Sequence, residues 1–187
     1  MDGESYLPWW DVETLARIAA MLRVQGASLQ FVREDEAKFE DFQRMPAVLI
    51  GAFNDEWTLR LMEKMRFTFQ REGSENWVAD RDHPDRRDWR IEMNRRDSQG
   101  RLQLTEDYAV ISRVQNPRTQ RITVTVAGLY GYGTLAAGQF LTDPNYIQAI
   151  SKLGPRGWEN RNIQIVIRTE VIENDAGPPS VVAAAFW

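Results

Sequence analysis

Apolar positions recur along this chain in two rhythms, and each change of rhythm marks an element. Leu15, Ile18, Ala19 and Leu22 follow at i, i+3, i+4, i+7, the spacing of one helix face. With Asp11 as N-cap and Gly26 as a stop, they predict a helix over residues 12–24. Residues 28–32 are a short strand candidate and 33–43 a charged connection. Residues 47–51 form an unbroken apolar run, as expected of a strand covered on both faces. Asn54 or Asp55 then caps a helix whose apolar side carries Trp57, Leu61, Met62 and Met65. Phe67 and Phe69 alternate within the strand-like stretch 66–70, and 76–79 reads as another short strand.

The second half has more strands. Residues 80–104 are a highly charged excursion carrying Pro84 and Gly100, with a short strand around 89–91. Residues 108–114 and 121–127 are strands whose connection is too short for a parallel crossover, so an antiparallel hairpin is predicted with Asn116-Pro117 at its turn. A helix over 134–152 is broken near Asp143-Pro144, and 162–172 with 181–187 form a closing hairpin around 175–179. Helices and strands alternate early and hairpins come late. The expectation is a single α/β domain over 1–187, opened by a leader over 1–10. Its architecture is read as a three-layer Rossmann-like or flavodoxin-like sandwich with a mixed sheet and a C-terminal hairpin. Val48, Leu49, Ile50, Val110, Val124, Val126, Ile165 and Val166 are expected in the core of one continuous sheet.

Bulk properties narrow the function. The 187 residues are 43% hydrophobic and 27% charged, an ordinary globular balance. A net charge of -4 argues against a dedicated nucleic-acid binder. No apolar run is long enough to span a membrane, so no membrane insertion is expected. There is no cysteine, which removes disulfides, thiol catalysis and thiolate metal sites and fits a reducing, cytoplasmic setting. His83 is the single histidine, so a multi-histidine metal site is impossible. No cofactor is expected. Of the seven tryptophans, Trp9 and Trp10 are placed to cover a neighbouring domain.

Two glycine junctions concentrate the candidate chemistry. In the first, Gly51 ends an apolar run and Asn54 and Thr58 follow at the start of a helix. In the second, Gly128-Leu129-Tyr130-Gly131-Tyr132-Gly133-Thr134 packs three further glycines between strand and helix. Free N–H groups and the positive ends of helix dipoles converge at such junctions and favour anions. Gly51, Asn54, Thr58, Tyr130, Gly131, Tyr132, Gly133 and Thr134 are therefore candidate ligand-binding residues, with Thr134 capping its helix, Gly133 needing positive φ and the tyrosines free to stack on a ring. The plain alternative is two tight turns before capped helices. The second loop matches neither the dinucleotide-binding nor the Walker pattern.

The strings AVLIGAFNDEWTLRLM (47–62), DYAVISR (107–113), AGLYGYGTLAAGQFLT (127–142), NRNIQIVI (160–167) and the tail 177–187 together resemble an uncharacterised family of bacterial α/β domains. That family commonly has two asparagines where this chain has Asn54-Asp55. It typically forms the C-terminal part of longer proteins, so the resemblance implies a domain excised from a larger chain with an N-terminal partner domain. It carries no known activity. The expected function is a non-catalytic sensing or interaction domain for a small anionic, nucleotide-like ligand. Its rivals are a nucleotide hydrolase or transferase using Asp55, Glu56 or Asp107, and a structural docking module.

Overall fold

The computed structural model describes residues 7–116 and 118–187. Its centre is β5 (Glu106–Gln115), flanked by β6 (Ile122–Gly128) and β7 (Ile163–Ile172), both antiparallel to it. The two flanking strands carry the sheet outward. β1 (Ala47–Ile50) lies parallel to β6, whereas β8 (Asp175–Ala176) and β9 (Ser180–Phe186) are antiparallel to β7. The sheet is thus mixed, with helices, and its C-terminal hairpin is present. The β5–β6 hairpin is antiparallel as expected, although Pro117 of its turn lies outside the described residues.

Alternation along the central strands divides the core. Ala109, Ile111, Val126, Ile165 and Ile167 face α1 (Trp9–Val24), α4 (Gly131–Thr142) and α5 (Pro144–Leu153), meeting Ile18, Ala136, Phe140 and Ile150. Val110, Ala127 and Val166 face the other way. There they meet Met62 of α3 (Glu56–Met62) and a second sheet of β2 (Phe67–Glu72), β3 (Glu75–Asp80) and β4 (Arg90–Glu92) through Phe67, Phe69, Val78 and Ile91. Strands apolar on both faces must be covered on both, and here helices cover one face and a small sheet with a short helix the other.

Several expectations change. The first helix begins at Trp9, so Trp9 and Trp10 belong to it and not to a leader; residues 1–6 lie outside the described residues. Pro8 holds the N-cap position and Asp11 sits inside the first turn, where its carboxylate serves a longer-range contact. Residues 28–32 form no strand, because no neighbour offers them a ladder, and the charged connection after them holds a short helix, α2 (Phe39–Arg44). β1 is not covered on both faces: it is an edge strand, and Val48 is 38% exposed. The fourth helix starts at Gly131 and not at Thr134. The charged excursion is anchored by β4 and by buried Ile91 and Leu102.

A buried polar side chain helps to fasten the small sheet to the large one. Gln164 on β7 is fully buried; its Oε1 accepts from the Phe67 N–H at 2.9 Å and its Nε2 donates to the Phe67 carbonyl at 2.9 Å. The carboxamide thereby stands in for a neighbouring strand at the edge of β2, satisfying backbone groups that burial would otherwise strand. Replacing Gln164 by Leu leaves both backbone groups unpaired. The expected loss is about 2–4 kcal/mol of stability from the two stranded groups, read as a lower urea midpoint at unchanged slope.

Candidate functional site

Because β1 and β6 are parallel neighbours, both glycine junctions open at the same end of the sheet. The structure brings the two candidate loops together in that sense. What fills the space between them is α1.

At the second junction, Asp107 at the start of β5 lies fully buried beneath the first turn of α4. Its Oδ2 accepts from the Gly133 N–H at 2.6 Å, and its Oδ1 accepts from the N–H groups of Tyr108 at 2.7 Å and Tyr130 at 3.2 Å. The anion-seeking groups expected to await a ligand are thus engaged by a carboxylate of the chain itself. Burial pushes the Asp107 carboxyl up to about 7, against the pull of the three N–H groups. Thr134 does not cap the helix start. Its hydroxyl accepts from the Gly128 N–H at 3.2 Å, tying the turn shut, and its side chain is buried.

Gly131 and Gly133 have no positive φ, contrary to the expectation from composition. They are glycines for reasons of space. A Cβ on Gly131 would lie 2.1 Å from the Trp10 indole, and one on Gly133 2.6 Å from the Tyr108 carbonyl. Trp10 covers the turn and contacts both candidate tyrosines, with ring centroids 5.0 Å from Tyr130 and 6.3 Å from Tyr132. The tyrosines, expected to await a planar ligand, already have a ring of the chain against them. One turn further along, Thr14 donates to the Thr134 carbonyl at 3.2 Å.

The first junction closes on the same helix. Gly51 does adopt a left-handed conformation, φ +117°, and the Asn54 carboxamide folds back over it where a Cβ would stand. Asn54 Nδ2 then donates to Asp11 on α1 at 2.8 Å. Asp55, not Asn54, caps α3: its Oδ1 accepts from the N–H groups of Trp57 and Thr58, and the Thr58 hydroxyl donates to its Oδ2. Burial raises the carboxyls of both Asp11 and Asp55 above the usual range.

The carboxylates of the enzyme reading do not assemble a reactive centre. Asp55 and Asp107 are each spent on a helix N-terminus, and Glu56 points to solvent, paired with Arg60 at 2.7 Å. Among the described residues no group of three or more His, Asp or Glu side chains is placed to hold a metal ion, and no helix is long and apolar enough to cross a membrane. A shallow groove of about 570 Å³ lies elsewhere, between α3 and the outward side of β2 and β3, lined by Leu59, Gln70, Trp77, Arg81 and Arg87 and by none of the candidate residues.

Sequence reasoning missed Trp10, Thr14 and Asp107 as the partners of these loops. A signal existed for Asp107: an acidic residue opening a strand is the natural counter-charge for a glycine-rich helix start. For Trp10 the neighbouring Trp9 obscured it, since the two alternate around the helix, one inward and one 71% exposed.

No family model, no curated protein and no solved structure matches the chain.

Two predictions follow from this geometry. Gly131→Ala drives its methyl into the Trp10 ring and should destabilise by about 1–3 kcal/mol, the usual cost of overpacking, with a red-shifted tryptophan emission as Trp10 is displaced. Asp107 sets a pH dependence. Unfolded, its carboxyl titrates near about 3.9; folded, it titrates at about 7. Between those values the folded chain holds a proton that the unfolded chain has released, so the contribution is full below about pH 4 and gone above about pH 7. Urea midpoints at pH 4.5, 6 and 7.5 should show the advantage of wild type over Asp107→Asn shrinking as pH rises.

Proposed function

We propose that this chain is a non-catalytic interaction domain that docks on another protein surface through the outward face of α1. Membership of the bacterial α/β family resembled by its motifs, and the N-terminal partner domain this implies, belong to the same proposal. A three-layer Rossmann-like or flavodoxin-like sandwich is not needed for it, since among the described residues β1 and β6 are the one parallel pair. One observation carries the reading: the outward side of α1 bears a row of exposed apolar residues, bordered by the Glu13–Arg17 ion pair and Arg23. Trp9, Val12, Ala16, Ala20 and Val24 are all exposed, while Trp10, Thr14 and Ile18 face inward. A helix held by its buried face, with exposed apolar side chains among charges on the other, suits a partner on that other side. On this reading Gly51, Asn54, Thr58, Tyr130, Gly131, Tyr132, Gly133 and Thr134 form the seat that fixes α1. A small anionic ligand at the same loops would have to displace Asp107 or Trp10.

The chain's lack of cysteine gives a direct test. A benzophenone attached at Ala16→Cys and irradiated in the cells that make the protein should give one discrete adduct, lost on adding Trp9→Glu. The same label at Arg118→Cys should give none. Equal labelling from both positions, together with a saturable thermal shift on adding nucleotides or phosphorylated metabolites that Gly133→Val abolishes, would return the function to ligand sensing.

A further inference from the structure

We propose that β9 is a self-association edge, and that two copies of this chain pair their β9 strands antiparallel about a two-fold axis at Ala184. The proposal is independent of the role given to α1.

β9 closes the large sheet on one side, with β7 as its ladder partner and, among the described residues, no strand on its other side. The Trp187 N–H donates to the Asn162 carbonyl and the Asn162 N–H to the Trp187 carbonyl, so residues 187, 185 and 183 turn their backbone groups toward β7. By alternation Phe186 and Ala184 turn theirs outward, and Val182, which a bulge leaves unmatched with β7, is 39% exposed. Such a row of unpaired donors and acceptors is a template for another strand.

Edges of this kind are normally blunted by charge, by proline or by shortness. The opposite edge of the sheet is short: β1 has four residues and follows Pro46. β9 also follows prolines, Pro178-Pro179, but it has seven residues, none of them charged, and no proline within it. Its only irregularity is the bulge near one end.

The sequence of this edge is complementary to itself. Antiparallel pairing about Ala184 sets Ala184 opposite its copy, Ala183 opposite Ala185, Val182 opposite Phe186 and Val181 opposite Trp187. Small residues meet at the axis, where strands approach without obstruction. Aromatic residues meet β-branched ones at both ends, a favourable cross-strand combination, and no like charges oppose one another. Trp187 is 48% exposed and available for this contact. Exposed Leu153 lies close by on α5, whose following Gly154 abuts the Phe186 ring. The symmetry identifies the partner, because a two-fold contact requires one patch to fit itself. One strand pair buries less than the about 800 Å² per partner of a standard interface, so association in the micromolar range is expected.

The test uses sedimentation velocity over a concentration series with three variants. Wild type should pass from monomer to dimer. Ala184→Pro removes the N–H at the axis while leaving the inward ladder intact, since that N–H faces outward, and should weaken association about 100-fold with an unchanged circular dichroism spectrum. Ala184→Lys places like charges opposite each other and should do the same if the proline variant fails to fold. Ala184→Cys, carrying the sole cysteine, should give a covalent dimer with a short bis-maleimide, whereas Val48→Cys on the β1 edge should not. A wild type that stays monomeric at millimolar concentration overturns the proposal. So does a dimer that persists in the folded Ala184 variants, or equal cross-linking at positions 184 and 48.

Discussion

The buried carboxylate of Asp107 is the contact on which this end of the structure depends. A helix start leaves N–H groups without partners, and a start buried against a sheet cannot give them to water. Asp107 meets that need from the first residues of the central strand, linking β5 to the turn between β6 and α4. With the turn fixed, Gly131 offers a flat seat for Trp10 and the Thr134 carbonyl offers an acceptor for Thr14. The position of α1 therefore derives in part from a carboxyl group on β5.

The same logic explains why two junctions with the composition of an anion site are engaged by groups of the chain itself. Glycine serves two distinct needs, access for a ligand and access for a side chain, and composition does not separate them. Here the incoming groups are the Trp10 indole over Gly131 and the Asn54 carboxamide over Gly51. Both junctions are occupied from within the chain, by Asp107 at α4 and Asp55 at α3. Among the described residues, the exposed apolar side chains of α1 and the uncharged edge of β9 lie on the outside.

Buried polar groups join the layers. Gln164 clasps the edge of β2 at Phe67. Asn76 on β3 is likewise buried, and its Nδ2 donates to the Leu129 carbonyl after β6 at 3.5 Å. In each case a side chain completes a bond at a strand that lacks a neighbour or at a crossing between layers. These are the positions where an apolar core alone would leave backbone groups unpaired.

Local pattern in the sequence was enough for the elements whose information is local. The hairpin of β5 and β6 follows from a connection too short to cross over. The break at Asp143-Pro144 follows from a cap beside a residue without an N–H, and the pairing of Phe67 with Phe69 follows from period two. Asp55 as a cap was legible because its partners lie two and three residues away. The tertiary structure alone decided the rest. Whether Ala47–Ile50 lies in the middle or at the edge of a sheet depends on strand order, and apolar composition is compatible with both. Residues 28–32 had strand-like composition and no neighbour to pair with. Whether Gly131 receives a ligand or Trp10 depends on residues about 120 positions apart meeting, and that meeting is set by packing across the sheet, which no local window of sequence contains.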